Sequence, residues 1–455
     1  MTNARLPPPP PLPPKANLSK SKAMEQETML VSLSPGGELF FRVPTSSGRE
    51  GASVRVVPTG GGGDARVEAK GCPLIIDVSY ILVPGTTYSV YSWTNAKLEI
   101  TGSAELLGSV FRAPSHSIFR PIAEFHCYLH TKRDGALKSG ARGPIALICG
   151  KNSETKCTIA QTLCNYASRS NWKPLLVDMN CGCEQLLSIP GCISAGIIEQ
   201  PMTPDSVPSE SILSLSYFTG SLYCSRTDPD GSLKIPGAYV HYCKVLCDTV
   251  NKRLMEQSSN VYGASGAVVV VPDLPGSAGI NCISDIIYQL GVDHVLCADD
   301  DDTFNRLYLR HEMMDKSGVV VDKISCNFCS TPNLPPEKTL AQQFEDYFNG
   351  KGQTILSPSR WAKPFTALEI LSVKEQEDQI RLVQLEHEEL EKIIGCIGAL
   401  YHKDEIVSLL QATPLCFVRV QSVDTTGITF LTTTHYTFPS EKLALVVGSL
   451  RWVTS

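Results

Sequence analysis

The chain has 455 residues, of which 42% are hydrophobic and 19% are charged, and its formal charge at neutral pH is −6. This length predicts about two to four domains, since a domain contains roughly 100–200 residues. The acidic balance excludes a protein that holds nucleic acid mainly by bulk positive charge. No apolar run approaches the ~20 residues that a bilayer-spanning helix needs. We therefore expect a soluble intracellular protein with no membrane contact.

The sequence contains 17 cysteines but only one C-x-x-C pair, formed by Cys326 and Cys329. Disulfide scaffolds are usually short and secreted, and a structural zinc site needs further ligands at a suitable spacing. We interpret the cysteines as reduced thiols that serve as small apolar residues, and we predict no metal site.

The first two segments of the chain differ in composition. Residues 1–28 are rich in Pro, Ser and Lys, which predicts a disordered tail. In residues 29–125, Gly-rich breaks separate short runs of Val, Ile, Thr and aromatic residues, namely FFRV, ASVRVV, PLIIDV, TTYSVYSW and KLEITG. This pattern predicts a small N-terminal β-sandwich or barrel. A polar, basic stretch at 131–143 is predicted to be a linker.

Strands and helices alternate in residues 126–351. The run PIALIC at 144–149 is apolar at every position, as expected of a parallel strand covered on both faces, and residues 158–168 have helical spacing. We predict an α/β domain with a mostly parallel sheet here. In residues 352–455, strand-like runs surround one helical segment near 388–411, which predicts a C-terminal α+β domain.

The strand PIALIC is followed by Gly150-Lys-Asn-Ser-Glu-Thr-Lys-Cys-Thr158 and a helix. A phosphate-binding loop (P-loop) has the form G-x-x-x-x-G-K-[ST], in which backbone amides and Lys bind phosphate and Ser or Thr ligates Mg²⁺. Gly150 and Lys156 match, but Thr155 replaces the second glycine and Cys157 replaces the Mg²⁺ ligand. Thr155 would crowd the phosphate, and a thiol is a soft ligand for a hard cation. The motif alone leaves an ordinary strand–turn–helix corner equally open.

Several further motifs stand in a fixed order along the chain. They are Arg142-Gly143-Pro144, NYASR (165–169), PLLVDMNCG (174–182), SIPG (188–191), IIEQP (197–201), SYFTGS (216–221), KSGVVV (316–321), YFNG (347–350), SVDTTGITFLT (422–432) and LRWV (450–453). This series resembles the polyribonucleotide 5′-hydroxyl kinase family, specifically its member in the mRNA 3′-end cleavage and polyadenylation factor. The resemblance spans nearly everything after residue 30.

The resemblance implies a β-domain that helps hold an adenine nucleotide, a central P-loop kinase domain, and a C-terminal domain packed against it. The basic residue that this family carries six positions before the Trp of YSW is here Thr87. The implied cofactor is ATP, while Cys157 argues against Mg²⁺. Carried over by position, the implied nucleotide-binding residues are Glu38, Gly150, Ser153, Glu154, Thr155, Lys156, Cys157 and Thr158.

The catalytic acid of the family is missing from its expected position. In this family the motif D-x-x-Q follows the second strand, and here Asn180 and Cys183 occupy its Asp and Gln positions. An amide cannot act as a base. Asp178 lies two residues back, about 6.6 Å along the strand, and could substitute only after a register shift. The arginine-bearing lid of the family is also unmatched, because no arginine occurs between Arg310 and Arg360. We therefore assign no catalytic residue.

These departures favour a non-catalytic, nuclear subunit of the pre-mRNA 3′-end cleavage and polyadenylation complex. Such a scaffold would bind the cleavage-factor subunit that bridges to the RNA polymerase tail, together with other 3′-end processing proteins, and would bind nucleotide weakly or not at all. Contact with RNA is left open. The alternatives are an active ATP-dependent RNA 5′-hydroxyl kinase in mRNA 3′-end processing or tRNA splicing, and a P-loop ATPase of another kind.

Overall fold

The structure is a computed structural model. It describes residues 26–47, 51–58, 65–112, 117–182, 186–204, 214–228, 231–314, 318–325, 339–350, 355–376, 379–403, 410–433 and 442–452. The tail before residue 26, the pair Cys326 and Cys329, and Cys183 lie outside the described residues. Among the described helices, none is both long enough and apolar enough to cross a membrane.

The N-terminal part is a β-sandwich, as predicted. Its elements are β1 (Glu27–Leu33), β2 (Glu38–Arg42), β3 (Ser53–Val57), β4 (Val67–Ala69), β5 (Cys72–Pro73), β6 (Ser79–Ile81), β7 (Thr87–Ser92), β8 (Ala96–Gly102), α1 (Ala104–Ser109) and β9 (Phe111–Arg112). One sheet has the order β1-β8-β3-β6 and the other β5-β4-β7-β2-β9. Leu39, Phe41 and Val90 of the second sheet pack against Val54 and Leu98 of the first. The predicted strand PLIIDV is wrong beyond its first residue, because the chain turns after β5.

A 21-residue helix, α2 (Phe119–Ser139), joins the sandwich to the central domain. The linker predicted at 131–143 is therefore wrong for most of its length. Most polar residues of this segment form the solvent side of the helix, whereas Arg133 is buried and donates to Ser265 O. The other face, with Ile122 and Leu129, is buried against the central sheet. The helix ends at Gly140, which has a left-handed φ of 67°.

The central domain is an α/β domain with a mostly parallel sheet, as predicted. Its elements are β10 (Ile145–Gly150), α3 (Ser153–Arg169), β11 (Leu175–Asp178), β12 (Cys192–Ile197), β13 (Ser214–Phe218), β14 (Arg226–Thr227), β15 (Leu233–Lys234), α4 (Gly237–Glu256), α5 (Val261–Ala264), β16 (Ala267–Val270), α6 (Gly276–Leu290), β17 (His294–Ala298), α7 (Asp301–Leu307), a π-helix (Tyr308–Met314), β18 (Val320–Ile324) and α8 (Leu340–Asn349). The seven-stranded sheet has the order β13-β12-β11-β16-β10-β17-β18. Strand β12 pairs antiparallel with both of its neighbours, β11 and β13, so it alone runs against the other strands. Strand β10 thus lies centrally, between β16 and β17.

The C-terminal domain has one seven-stranded sheet of order β19-β24-β23-β22-β25-β20-β21. The strands are β19 (Ser359–Pro364), β20 (Leu368–Gln376), β21 (Gln379–Gln384), β22 (Cys396–His402), β23 (Cys416–Val423), β24 (Gly427–Thr432) and β25 (Leu443–Arg451), with 3-10 helices at Phe365–Ala367 and His387–Ile393. The helix predicted near 388–411 is wrong at Cys396–His402, which form β22, and its residues 404–409 lie outside the described residues. Gly395, with a φ of 81°, ends the helical turn and starts a buried central strand.

The C-terminal domain packs on the end of the central sheet through the motif SYFTGS. The ring of Phe218 in this motif contacts that of Phe417, with 6.0 Å between the centroids and an angle of 43° between the planes. Ser449 donates its backbone N–H to Gly220 O at 2.8 Å. A Cβ at Gly448 would lie 2.1 Å from Gly220 O, so the close approach requires glycine at this contact. The domain divisions at 28/29, 125/126 and 351/352 stay predictions, although β1 begins at Glu27 and α2 crosses 125/126.

Candidate functional site

The predicted phosphate loop connects the carboxyl end of β10 to α3. Gly150 has a φ of 135°, and a Cβ at this position would lie 2.1 Å from Ala298 O of the neighbouring strand. Only glycine fits both the conformation and the space. The sequence therefore folds into the strand–loop–helix geometry of a P-loop even though two of its motif positions differ.

The start of α3 satisfies its own backbone amides. Asn152 is the N-cap residue, and its Oδ1 accepts the Thr155 N–H at 2.8 Å. In a P-loop, amides at this helix end bind phosphate. Ser153 is the first helical residue, and the carboxylate of Glu154 lies in the first turn, where the helix dipole favours negative charge. The side chain of Asn152 thus already accepts the hydrogen of one backbone N–H group that a phosphate would use.

Lys156 points into the protein interior. Its side chain is 1% exposed, and among the described residues no hydrogen-bond partner of Nζ is found. Burial lowers the pKa of Lys156, while the nearby acids and thiols, including Asp273 and Cys224, oppose this shift. A buried ammonium without a hydrogen bond is costly unless an anion binds it. In this respect the loop fits a phosphate group.

The position that should ligate Mg²⁺ does not fit this ion. Cys157 is buried with 7% exposure and presents sulfur, whereas Mg²⁺ prefers hard oxygen ligands. Thr158, the next hydroxyl, is 2% exposed and lies one position further round the helix. Thr155 has a fully buried Oγ1 without a hydrogen-bond partner among the described residues. The loop therefore retains the lysine that binds phosphate in P-loops, but position 157 presents sulfur where a P-loop presents the oxygen that holds the metal.

Asp178 and Asn180 lie at the carboxyl end of β11, next to the loop. Asp178 is fully buried, and its carboxylate accepts backbone N–H groups from Asn180 at 3.0 Å and from Leu186 at 2.8 Å. Burial raises the pKa of Asp178 to about 6, against the lowering effect of these hydrogen bonds and of Lys156. Asn180 Oδ1 accepts the Gly182 N–H at 3.0 Å. Both side chains shape the turn after β11, and Asp178 in particular uses its two oxygens to hold backbone.

Glu38 lies on β2 of the sandwich and is 3% exposed. Its Oε1 accepts a hydrogen bond from Ser89 Oγ at 2.5 Å. Burial raises the pKa of Glu38 to about 7, although hydrogen bonds from Ser89, Ser117 and the Ile118 backbone lower it. A carboxyl with this pKa titrates near neutral pH and can donate a hydrogen bond when it is protonated.

The sandwich meets the phosphate loop through a buried ion pair. Arg42 Nη2 lies 2.7 Å from Glu154 Oε1, and Thr87 Oγ1 donates to the same oxygen at 2.5 Å. Arg42 Nε also donates to Thr87 Oγ1 at 2.8 Å. Arg42 and Thr87 are direct partners in the β2–β7 ladder. A cation thus lies directly across the ladder from Thr87, a relation that sequence reasoning could not detect without the strand register.

A second contact between the two domains explains the motif NYASR. Tyr166 Oη donates to Glu68 Oε1, and Arg169 Nη1 lies 3.0 Å from Glu68 Oε2. Asn165 Nδ2 donates to Lys70 O at 2.8 Å. Glu68 is 2% exposed. Asn165, Tyr166 and Arg169 thus fix the sandwich against the far end of α3, opposite the phosphate loop.

Sequence reasoning missed Asp273, which follows β16 and faces the loop. The charges of Lys156 and Lys151 act on its carboxylate, and so does that of Asp300, while burial raises its pKa. Asp300 caps α7 by accepting from Thr303, so the acidic run 299–302 is a helix start. In P-loop NTPases, an aspartate at the end of a strand beside the loop helps hold Mg²⁺. The sequence signal was D-x-x-G after an apolar strand, but recognising it required the strand order.

Two family models match this chain. Residues 32–136 match the N-terminal beta-sandwich domain of polyadenylation factor, and residues 150–350 match the mRNA cleavage and polyadenylation factor CLP1 P-loop. Together the two models span more than half of the chain.

Individual proteins match over different lengths. The protein CLP1 homolog of Brugia malayi is 26% identical over 251 residues, which is 54% of this chain and 54% of that protein. The mRNA cleavage and polyadenylation factor clp1 of Botryotinia fuckeliana is 24% identical over 416 residues, 82% of this chain and 84% of that protein. The polyribonucleotide 5′-hydroxyl-kinase Clp1 of Danio rerio is 23% identical over 313 residues, 67% of this chain and 65% of that protein.

The fold is also similar to a solved structure of Clp1p, described for its extended interface with Pcf11p and for ATP loss in a point mutant. The TM-score is 0.72 at 18% sequence identity, and the match covers 93% of this chain and 99% of that chain. At this identity the likeness shows the fold alone. With the two family models and the collinear motifs, it leads to one conclusion: the chain belongs to the family of the mRNA cleavage and polyadenylation factor Clp1, which includes polyribonucleotide 5′-hydroxyl kinases, and carries a degenerate P-loop.

Proposed function

We propose that the chain is a non-catalytic, kinase-shaped subunit of the nuclear pre-mRNA 3′-end cleavage and polyadenylation complex. In this proposal it acts as a scaffold for other cleavage-factor subunits. The observation that carries the proposal is which residue stands at the position of the family's catalytic acid. Asn180 stands where the family acid is expected, and the carboxylate of Asp178 is fully buried and holds two backbone amides.

Two features of the loop support weak or absent nucleotide binding. Cys157 replaces the metal ligand, and Asn152 already accepts an amide hydrogen at the helix end. The contacts made by Arg42 and Glu68 also join the sandwich directly to the central domain. A scaffold of this kind would keep its shape whether or not ATP is present.

The partner in this proposal is the cleavage-factor subunit that corresponds to Pcf11p, which is solved together with Clp1p. The test is a co-purification of the full chain with that subunit from its own organism, using wild type and Lys156→Ala. We expect both to retain the subunit equally. If the wild type failed to bind, the scaffold proposal would be wrong. If only Lys156→Ala failed while its circular dichroism matched wild type, nucleotide occupancy would be needed for assembly.

The second candidate is an active RNA 5′-hydroxyl kinase, and Asp273 is the observation that favours it. Asp273 is a carboxylate close enough to Lys156 for their charges to interact. Were the chain an enzyme, Lys156 would bind the transferred phosphate and ATP would supply it. The carboxylate oxygens of Asp273 and Asp300 would then be the candidate ligands for a metal ion. Transfer of phosphate to RNA that Asp273→Asn abolishes would favour this candidate.

A further inference from the structure

Two pairs of cysteine sulfurs lie in contact around the phosphate loop. Cys181 Sγ is 2.9 Å from Cys224 Sγ, and Cys149 Sγ is 3.2 Å from Cys297 Sγ. All four are free thiols in the structure. Because a disulfide bond is about 2.05 Å long, the sulfurs of the first pair need to approach by less than about 1 Å to bond.

The two pairs differ in their access to solvent. Cys224 lies in the irregular segment between β13 and β14, is 8% exposed, and follows Tyr223, which is 69% exposed. A small opening of this segment therefore brings Cys224 to solvent. Cys149 and Cys297 are direct partners in the paired central strands β10 and β17, and both are 0% exposed. Reaching the second pair requires opening the centre of the sheet.

Within the first pair, Cys224 is the thiol that forms a thiolate more readily. The hydrogen bond from Cys181 lowers the pKa of Cys224, and the charge of Lys156 lowers it further, against the effect of burial. The hydrogen bond with Cys149 and burial both raise the pKa of Cys297. Since the thiolate is the reactive form of cysteine, Cys224 is the nucleophile of the first pair, whereas the hydrogen bond with Cys224 and burial raise the pKa of Cys181. The charge of Lys156 acts on Cys149 of the second pair as well as on Cys224, so access to solvent is what separates the two pairs.

We propose that Cys181 and Cys224 are a redox modification site, which a peroxide converts from two thiols into a disulfide. The Cys224 thiolate attacks the peroxide, the O–O bond breaks, and a sulfenic acid and an alcohol or water form. The sulfur of Cys181 then attacks the Cys224 sulfur, the S–S bond forms, the S–O bond breaks, and water leaves with the Cys181 proton. In total, two thiols and one peroxide give one disulfide, one water, and one alcohol or second water.

Oxidation would fix the turn after β11 to the segment after β13. Cys181 is well placed for this, because its carbonyl accepts the Gly191 N–H at 2.8 Å and Tyr239 Oη donates to the carbonyl of the preceding Met179 at 2.9 Å. The turn is thereby anchored, and Cys224 is the sulfur that moves. This inference is independent of the proposed scaffold function, since it concerns the chemistry of the thiols and not of the nucleotide.

The test is differential alkylation of the reduced full chain. The protein is exposed to hydrogen peroxide at pH 7, free thiols are alkylated after denaturation, and disulfide peptides are identified by mass spectrometry. We expect a Cys181–Cys224 cross-link to accumulate while Cys149 and Cys297 stay alkylated, which makes them the internal control. Cys127→Ser serves as the background, because Cys127 is exposed and would cross-link separate molecules.

Three variants test the mechanism. Cys224→Ser should leave Cys181 fully alkylated. Lys156→Met should slow formation of the Cys181–Cys224 cross-link, because it removes a positive charge that lowers the pKa of Cys224. Lys156→Arg should restore most of the rate. The proposal is overturned if the first pair stays reduced, if both pairs oxidise at the same rate, or if Cys224 bonds to a third cysteine. An unchanged rate in a folded Lys156→Met would refute the role of Lys156.

Discussion

The ion pair between Arg42 and Glu154 is the most direct link between the sandwich and the phosphate loop. We predict that Arg42→Met and Glu154→Gln each destabilise the protein, and that their effects are not additive. Arg42 is 6% exposed and the Glu154 side chain is 17% exposed, so both charges are largely removed from water. Removing either partner leaves the other charge buried.

The expected magnitude follows from this burial. Breaking a buried ion pair by removing one partner typically costs about 3–5 kcal/mol. Thr87 would still donate to Glu154, and Glu154 keeps some solvent contact, so we expect a cost near the lower end, about 3 kcal/mol for Arg42→Met. The double variant loses both charges together, and the coupling energy should therefore be about 2 kcal/mol.

The assay is urea unfolding of the full chain and its variants, followed by circular dichroism. The matched control is the pair Arg55 and Glu99 within the sandwich, 2.8 Å apart, whose side chains are 36% and 27% exposed. Its double-mutant cycle should give less than about 1 kcal/mol of coupling. Coupling at Arg42 and Glu154 no larger than at the control pair would refute the view that this contact joins the two domains.

Four further outcomes are expected. Lys156→Met should raise the free energy of unfolding by about 1–3 kcal/mol in urea titrations, because it removes a buried charge that lacks a hydrogen bond; a loss of stability would contradict this. Burial raises the pKa of Asp178 from 3.8 to about 6, so unfolding releases a proton between these pH values and stability falls as pH rises through them. By linkage this fall in stability amounts to about 3 kcal/mol, and it should be absent from the pH profile of unfolding of Asp178→Asn. An unchanged profile would show that another group causes the fall. Tyr166→Phe should lower the free energy of unfolding by about 1–3 kcal/mol in thermal unfolding, because the buried Glu68 then has one hydrogen-bond donor fewer. An unchanged stability would show that this contact is dispensable. Gly150→Ala should fail to fold or lose more than about 3 kcal/mol, since its Cβ would overlap a backbone oxygen; normal expression and melting would contradict that geometry.

The fold could be predicted from the sequence because its signals are local. The apolar strand β10, Gly150 and the helical spacing that follows lie within about 25 residues of one another, and each is produced by periodicity or backbone conformation. The errors came from segments whose polar residues hide a buried face. The segment 131–139 of helix α2 has the polar composition of a linker for this reason, and β22 falls within the predicted helix near 388–411 because a short 3-10 helix precedes it.

The site itself was less accessible to sequence reasoning, because its contacts depend on strand pairing. Nothing in the order of residues says that Arg42 lies opposite Thr87, or that Asp273, which follows β16, lies close enough to Lys156 for their charges to interact. The motif NYASR was recognised without its role, since Glu68 is about a hundred residues away from it in the chain. The predicted nucleotide-binding residues Glu38 and Lys156 do lie in the structure as buried polar groups on opposing domains, and their part in binding ATP stays a prediction.

Phosphate transfer is the measurement that tests the central claim most directly. Purified full chain would be incubated with γ-labelled ATP, Mg²⁺ and a short RNA that carries a 5′-hydroxyl group, beside Asp178→Asn and Asp273→Asn. We predict no label in the RNA with any of the three proteins. Label from the wild type that disappears with either substitution would contradict the account, and would show that one of these carboxylates performs the task of the missing family acid.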